Sequence, residues 1–373
     1  MVYLDYAAGE KIDDDVLNLY TNYLKDCYPN PNSNHTLGKE MMKKIDDATK
    51  KYLDLLQLGD TYEIVYTSSA TESNNLALKG CAKRYKNFGN KIIISSMEHT
   101  SITASCEALS KEGFDIEVCP VKSDGKVDLD ELKNMIDDNT ILVSITSLDS
   151  ELSIKQDLDK VLEILKDYPN IHFHTDASGI VGKENFNFNG IDLITVAPHK
   201  FGGVGDLSLL VKKKDVFLSA MISGGRSASI YRAGTPNTAS ILANTLSLEK
   251  ALNDQKKNYD YVEKLHNKII NNLKKYKIVN INNLDKSTPY IINFSVKDVL
   301  SNTLVEYLDE REIYVSSKTS CCPVFSPSKL VYALTKNKSL ANESIRVSLS
   351  KNVKEEEIDE FLNVLDEYLE KMW

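Results

Sequence analysis

Residues 192–203 read DLITVAPHKFGG, and this stretch decides the fold. Its first half is apolar and β-branched and stops at Pro198, which is typical of a buried strand that ends in a turn. The basic pair His199-Lys200 follows at once, ahead of two glycines. A lysine held against a buried strand end loses proton affinity, because desolvation disfavours its charged form, and its neutral amine can then form a Schiff base. Taken alone, a solvated turn lysine is the ordinary alternative.

Six further β-branched runs lie along the chain, separated by helical patterns such as SNNLALKGCAKRYK and DLDKVLEILKDY. The runs begin at Glu63 (EIVYTS), Lys91 (KIIIS), Asp115 (DIEVCPV), Thr140 (TILVSIT), Asn170 (NIHFHTD) and Leu207 (LSLLVKK). This alternation predicts an α/β protein with a mostly parallel sheet that is covered on both faces. From about Ser240 a long amphipathic stretch predicts a helical bridge into a second, α+β domain.

Charge and cysteine content limit the classes of function. The chain has 45 basic and 54 acidic residues and a formal charge of −9, which argues against non-specific binding to nucleic acid or to an anionic membrane. It contains no run of about 18 uncharged apolar residues, and its start does not have the pattern of a signal peptide. A cytoplasmic location is therefore expected, where its 6 cysteines would stay reduced. No CxxC spacing suggests a structural metal, and no metal is expected.

Two polar clusters are candidates for binding an anion. TSSATESNN follows the run at Glu63 and opens a helical pattern, so the Thr71 hydroxyl and the amides of residues 70–72 could hold a phosphate against the helix dipole. An ordinary capping box with Ser69 or Thr71 as N-cap is the alternative. YRAGTPN adds Arg232 and Thr235 in what would otherwise be only a loop.

HFHTDAS places His172, His174 and Asp176 on one face of a strand. They could ligate a metal, although two buried strand residues and a turn aspartate would be the commoner outcome. The order of the clusters is more informative than any one of them. A phosphate-holding helix start, then an aspartate at a strand end, then a lysine at the next strand end, resembles fold-type I enzymes that use pyridoxal phosphate (PLP).

Eight blocks make this resemblance specific to cysteine desulfurases of the NifS/IscS type, in the class V aminotransferase superfamily. The blocks are YLDYAA from Tyr3, NPNSNHTLGKE from Asn30, YTSSATESNNLALKG from Tyr66, SSMEHTSI from Ser95, HTDASGIVGK from His174, HK at His199, RAGTPN from Arg232 and ESIRVSLS from Glu343. The resemblance implies a fold-type I PLP-dependent transferase fold. Its large α/β domain (15–245), with a mostly parallel seven-stranded sheet, would follow an N-terminal arm (1–14). A smaller α+β C-terminal domain (246–373) would carry a cysteine loop at about 316–327.

The resemblance also implies PLP as cofactor and L-cysteine as substrate. Lys200 would carry the cofactor and move a proton from the substrate Cα, and Asp176 would pair with the pyridine nitrogen. His99 would stack on the ring and help to deprotonate a thiol. Cys321 would attack the substrate sulfur as a thiolate, keep it as a persulfide and release alanine.

Further contacts follow from the same resemblance. The cofactor phosphate would be bound by Ala70, Thr71 and His199, with Thr235 supplied by the second subunit of a homodimer. The substrate would be bound by Arg346, through a bidentate pair with its carboxylate, and by Ser150 and Asn32. The persulfide sulfur would pass to an acceptor protein, such as a scaffold for iron–sulfur clusters or a tRNA-thiolation protein.

Five positions depart from the family pattern. Ser150 replaces the second asparagine of an Asn-Asn-Glu block, Gly179 a glutamine, Ala197 a serine, and Pro198 and Lys318 a glycine each. A lost hydrogen bond in a buried site costs about 0.5–3 kcal/mol, and about 1.4 kcal/mol is a factor of ten in rate. Several such losses predict a slow enzyme or one retuned for another substrate.

Other functions stay open on the sequence alone. One is a different PLP reaction, such as selenocysteine lysis or β-elimination from a cysteine derivative, in which turnover would survive Cys321→Ala. Another is a non-catalytic paralogue that acts as a dimeric binding partner in sulfur or metal-cluster assembly. Zinc hydrolysis at His172, His174 and Asp176 is the weakest alternative, since the strand face offers no general base.

Overall fold

The computed structural model describes residues 1–225, 229–318 and 326–372. The strands of these residues are β1 (Val2–Tyr3), β2 (Tyr62–Thr67), β3 (Lys91–Ser95), β4 (Asp115–Cys119), β5 (Thr140–Ser144), β6 (His172–Asp176), β7 (Leu193–Val196), β8 (Ser208–Lys213), β9 (Val279–Ile281), β10 (Ile291–Val296), β11 (Ile313–Tyr314) and β12 (Ser344–Ser348). The α-helices are α1 (Asp14–Asp26), α2 (Thr36–Leu55), α3 (Ala70–Asn75), α4 (Cys81–Tyr85), α5 (Thr100–Lys111), α6 (Leu129–Met135), α7 (Leu158–Leu165), α8 (Thr238–Asn253), α9 (Gln255–Leu273), α10 (Ser301–Asp309), α11 (Lys329–Thr335), α12 (Lys338–Glu343) and α13 (Glu355–Glu370).

A seven-stranded sheet forms the centre of the molecule, with strand order β2-β8-β7-β6-β5-β3-β4. The pairs from β7 to β4 are parallel, and β8 is antiparallel to both β7 and β2. Each of the seven β-branched runs forms one of these strands, so the predicted α/β fold with a mostly parallel seven-stranded sheet is confirmed.

The central strands read as continuous apolar runs because helices cover both faces of the sheet. β3, β5 and β7 are buried at every position. Their side chains belong to two hydrophobic clusters, one on each face, and the alternation of apolar and polar residues that marks a half-buried strand is absent from them.

A second, three-stranded antiparallel sheet has the order β12-β10-β9 and its own hydrophobic core. Val2 and Leu4 are buried in this core, because β1 pairs in parallel with β11. The amphipathic stretch near Ser240 forms two helices, α8 and α9, which meet at Asp254. The three domain boundaries remain predictions. In the described part of the chain, no helix combines the length and the apolar character needed to cross a membrane.

Candidate active site

A cavity of about 260 Å³ lies where the carboxyl ends of the parallel strands meet. β6 contributes Asp176, its last residue, and the short 3-10 turn Pro198–Lys200 after β7 contributes His199 and Lys200. Among the described residues, the cavity is lined by Ala7, Ala8, Ser69, Ala70, Thr71, Met97, His99, Thr146, Leu148, Asp149, Ser150, Ser153, Asp176, Ser178, Gly179, Lys183, His199, Lys200, Tyr290, Ile291 and Arg346. Most of the residues that the sequence singled out are therefore brought together by the sheet.

Lys200 presents a buried amine to this cavity. Its Nζ donates hydrogen bonds to the carbonyl oxygens of Ala7 and, at 3.0 Å, Ala8. Burial, together with the positive charges of Lys183 and Arg346, lowers the pKa of Lys200 to about 8. The amine is thus prepared to react in its neutral form close to neutral pH, as the sequence predicts for a Schiff-base lysine.

A chain of hydrogen bonds joins Asp176 to His99. Asn74 Nδ2 donates to Asp176 Oδ2 at 2.8 Å and to Ser101 Oγ at 2.9 Å. Ser101 Oγ lies 2.8 Å from His99 Nδ1, and the Ser101 backbone N–H donates to the same nitrogen at 3.1 Å. The second carboxylate oxygen of Asp176 accepts the Ser178 N–H. This network holds the carboxylate and the imidazole in fixed orientations.

The tautomer of His99 follows from these contacts. His99 is the N-cap of α5, so its Nδ1 accepts a backbone N–H and must be unprotonated in the neutral ring. Burial lowers the pKa of His99, which favours that neutral ring with its hydrogen on Nε2. In this arrangement Nε2 is a donor. Nε2 could accept a thiol proton only in the other tautomer, with the hydrogen on Nδ1, and that tautomer would break the hydrogen bond from the Ser101 N–H. The help of His99 in deprotonating a thiol stays a prediction.

Arg346 is buried with only 1% of its surface exposed. Its Nη2 donates to Asp5 Oδ1 at 2.7 Å, and its Nη1 donates to the Ser150 carbonyl at 2.9 Å. Its Nε has no hydrogen-bond partner among the described residues. Asp5 and Ser150 accept two of the five guanidinium N–H groups, so the Nε N–H and one N–H on each Nη remain as donors. The bidentate pair with a substrate carboxylate stays a prediction.

The start of α3 lies at the cavity. Ser69 is its N-cap, and the Ser69 hydroxyl accepts the Glu72 N–H at 3.2 Å, so the capping alternative holds for this residue. Ser69, Ala70 and Thr71 all line the cavity as well, next to His199. Burial and the charges of Lys200 and Lys183 lower the pKa of His199 to about 4. Capping and anion binding are therefore compatible here, with a neutral imidazole beside a helix start.

Comparison with known proteins identifies the family. The model of the family described as aminotransferase class-V matches residues 2–361. The chain belongs to the class-V aminotransferase family.

Relatives and solved structures narrow the comparison. A NifS/IcsS protein homolog from Lactobacillus delbrueckii subsp. bulgaricus is 32% identical, and the alignment covers 98% of this chain and 97% of the homolog. Cysteine desulfurase IscS from Dictyoglomus turgidum is 33% identical, and the alignment covers 100% of this chain and 95% of that protein. A solved structure of a NifS-like protein matches with a TM-score of 0.92 and 30% identity over 99% of both chains. These similarities confirm the predicted family and fold type, and members of this family are PLP-dependent enzymes.

The departure from the family pattern at Gly179 and the neighbouring turn at Asp149 have a structural explanation. A Cβ at Gly179 would lie 2.8 Å from the Leu148 carbonyl oxygen, so the backbone leaves no room for the glutamine of the family pattern. Asp149 accepts three backbone N–H groups, from Glu151, Leu152 and Ile154, and acts as the anchor of its own turn. Burial raises the pKa of Asp149 to about 6.

Some predicted site residues lie elsewhere. Asn32 does not line the cavity in this chain, and its backbone N–H donates to Asn30 Oδ1. Thr235 lines a separate cavity, and Arg232 forms an ion pair with Glu72 at 2.8 Å. Cys321 lies outside the described residues. The roles of Asn32, Thr235 and Cys321 stay predictions.

The zinc alternative has no support in the positions of its ligands. His172 packs against the ring of Tyr85, while His174 hydrogen-bonds Ser144 and Thr195. Asp176 bonds to Asn74 instead. Across the described ranges, no three histidine, cysteine or acidic side chains are arranged to hold a metal ion.

Sequence reasoning missed four residues of this class-V site. Asn74 and Ser101 connect Asp176 with His99, Asp5 engages Arg346, and Lys183 enters the cavity as a further cation. All four lie inside the sequence blocks that carry the family resemblance. Their position in those blocks could have marked them as site residues. Their hydrogen bonds could not be predicted in this way, because the partners are 27 to 341 positions apart in the chain.

Proposed function

We propose that this protein is a PLP-dependent cysteine desulfurase, which removes sulfur from L-cysteine and releases L-alanine. The observation that carries the proposal is one cavity lined by a lysine of lowered pKa, Lys200, and a buried carboxylate, Asp176. Full-length similarity to proteins named cysteine desulfurase supports the choice of reaction.

The residues present fit PLP. Asn74 Nδ2 and the Ser178 N–H donate to the Asp176 carboxylate and hold it where it could accept a hydrogen bond from a protonated ring nitrogen. Lys200 offers an amine whose lowered pKa favours condensation with an aldehyde. The helix start at Ser69–Thr71 and the neutral His199 offer donors for a phosphate. When bound, PLP supplies an electron sink that stabilises negative charge at the substrate Cα.

The protein groups have separate tasks in this mechanism. Lys200 would hold the cofactor through its Nζ, and the same amine would accept the proton from the substrate Cα. Asp176 keeps the ring nitrogen protonated. His99 would lie against the ring. Because its Nδ1 accepts the Ser101 N–H, its Nε2 carries the hydrogen and could donate a hydrogen bond to a bound ligand. Arg346 positions the substrate carboxylate with its remaining donors.

Sulfur transfer is assigned to Cys321. Its thiolate attacks the sulfur of the bound substrate, so a sulfur–sulfur bond forms while the Cβ–S bond breaks. The electron pair of the broken bond stays with the carbon skeleton, which takes up a proton at Cβ, regains one at Cα from Lys200 and leaves as L-alanine. The enzyme retains the sulfur as a persulfide, which passes to a thiol of an acceptor protein.

Several finer assignments belong to the same proposal. A homodimer would bring Thr235 of the second subunit to the phosphate, which agrees with the location of this residue away from the cavity of its own chain. An acceptor protein in iron–sulfur cluster assembly or tRNA thiolation, and a cytoplasmic location, remain predictions from the sequence.

The test is L-alanine release from L-cysteine by the purified holoenzyme with a reductant, beside Cys321→Ala and a matched Cys27→Ala control. Cys27 lies at the end of α1 and is not part of the cavity. We expect alanine from the wild type and from Cys27→Ala, and none from Cys321→Ala.

Other outcomes would redirect the proposal. Undiminished turnover in Cys321→Ala would favour a lyase that eliminates sulfur or selenium directly. If the wild type binds PLP and forms no product from L-cysteine or from selenocysteine, desulfurase activity is refuted and the role of a binding partner takes its place.

A further inference from the structure

Lys183 lines the same cavity and has no part in the mechanism above. Only 9% of its surface is exposed. Its Nζ forms no hydrogen bond or ion pair with any of the described residues, and it lies 5.5 Å from the centre of the Tyr290 ring. A buried ammonium without an acceptor is unfavourable, so an anion that enters the cavity gains from its presence.

The backbone before Lys183 holds it in place. Gly182 has a left-handed φ of 78°, and a Cβ there would lie 3.0 Å from the Cβ atoms of Ala251 and Phe201. The Lys183 N–H closes the turn by donating to the Ile180 carbonyl at 3.0 Å. The turn is therefore tightly packed, and it directs the side chain into the cavity.

Glu10 is the acidic side chain with the largest electrostatic effect on Lys183, and it is hydrogen-bonded to other side chains. Glu10 accepts hydrogen bonds from Ser350 and Asn352 at 2.6 and 2.8 Å, and it forms no ion pair with Lys183. Burial lowers the pKa of Lys183, and the positive charge of Arg346 lowers it further. Lys183 in turn lowers the pKa of Lys200. Lys183, Lys200 and Arg346 thus line one cavity, and of the three only Arg346 forms an ion pair, with Asp5, among the described residues.

Arg346 shares its donors between protein acceptors and the cavity. Its Nη1 and Nη2 are engaged by Ser150 and Asp5, while Nε is without a partner in the part of the chain that the structure describes. A carboxylate that accepts one bond from this Nε has its second oxygen free for another donor. Lys183 supplies such a donor from the same cavity wall, next to Tyr290 and Ile291.

We propose that Lys183 and Arg346 together bind the α-carboxylate of the amino-acid substrate, with Lys183 as the second cation of the subsite. The inference rests on the proposed function, because it names how that site takes its substrate. The cofactor phosphate is the less suitable anion for Lys183, since the helix start at Ser69–Thr71 and His199 already offer donors for it.

The experiment compares wild-type holoenzyme with Lys183→Met, Lys183→Arg and the exposed control Lys166→Met. Binding of L-alanine and of cysteamine, an amine thiol without a carboxylate, is followed by the change in cofactor absorbance. KM and kcat for L-cysteine and retention of PLP are measured beside it. We expect Lys183→Met to weaken L-alanine binding and raise KM roughly 10- to 100-fold, the loss of one charge-assisted hydrogen bond. Cysteamine binding and PLP retention should not change, and Lys183→Arg should restore part of the affinity.

Three results would overturn the inference. The first is an L-alanine affinity and a KM that do not change in Lys183→Met. The second is an equal loss of affinity for L-alanine and for cysteamine. The third is loss of bound PLP, which would assign Lys183 to the cofactor. The binding titration does not depend on sulfur release. A wild type that fails to form alanine from L-cysteine would therefore refute the proposed function while the carboxylate subsite is still measured.

Discussion

The cavity has two sides that are prepared in different ways. On the aspartate side (Asp176, Asn74, Ser101 and His99) each group is joined to the next by a hydrogen bond. On the arginine side (Arg346 and Lys183), Arg346 shares its donors with Asp5 and Ser150, and Lys183 has no acceptor among the described residues.

The difference indicates what each side binds. A hydrogen-bonded network that already fixes the orientation of its groups suits a ring that must be held in one orientation, because little reorganisation is needed when the ring arrives. A side with unbalanced positive charge suits an anion that comes and goes, because its charge is neutralised only while the anion is bound. We therefore assign cofactor orientation to the aspartate side and substrate exchange to the arginine side.

Removing the charge of the aspartate side should have the largest effect. Asp176→Asn keeps the size of the side chain but loses the charge-assisted hydrogen bond to a protonated ring nitrogen, worth about 1.5–3 kcal/mol. We expect alanine formation to fall roughly 10- to 100-fold. The exposed Asp167→Asn is the control, and equal activity of both variants would remove Asp176 from the mechanism.

The turn between the two sides leaves no space at Gly179. In Gly179→Ala the new Cβ would lie 2.8 Å from the Leu148 carbonyl oxygen, and overpacking of this kind costs about 1–3 kcal/mol of stability. Urea unfolding measures the loss. Gly59→Ala is the matched control, since no atom lies within 4 Å of a Cβ at that position. A Gly179→Ala variant as stable as Gly59→Ala would show that the turn can move and accept a side chain.

The electrostatic interaction between Lys183 and Lys200 can be measured from the pH dependence of PLP binding. Lys200 attacks an aldehyde as the neutral amine, and its pKa is lowered to about 8. The rate at which apo-protein binds PLP should therefore rise about tenfold per pH unit below that pKa and level off above it. Lys183→Met removes a positive neighbour, which raises the pKa of Lys200 and moves the midpoint to higher pH. A midpoint that stays in place, as expected for Lys166→Met, would mean that the two lysines are not coupled.

Within the aspartate side, Ser101 is the smallest link. Ser101→Ala removes the hydroxyl between Asn74 and His99 but leaves the backbone N–H that caps Nδ1. The loss of one neutral hydrogen bond, about 0.5–1.5 kcal/mol, predicts a 2- to 10-fold lower kcat. Ser105→Ala, one turn further along α5, removes a hydroxyl that bonds only to the Ser101 carbonyl. If both variants lose activity equally, the effect comes from the helix and not from the link to His99.

The strands and the first layer of site residues were predictable from local signals. Each β-branched run became a strand of the main sheet, and Lys200, Asp176 and His99 follow strands or cap helices at the carboxyl edge. A parallel sheet brings such positions to one edge whatever its detailed packing. The predicted bidentate role of Arg346 did not allow for Asp5, which comes from the other end of the chain.

The sequence by itself determined the fold class and the family and predicted the reactive groups, because these depend on short-range periodicity and on ordered blocks of residues. Only the tertiary structure decided the state of those groups: the tautomer of His99, the lowered pKa of Lys200, the occupied nitrogens of Arg346 and the missing acceptor of Lys183. Each of these is set by burial and by charges on segments far apart in the chain, and the electrostatic effect of a neighbour depends on its distance in space.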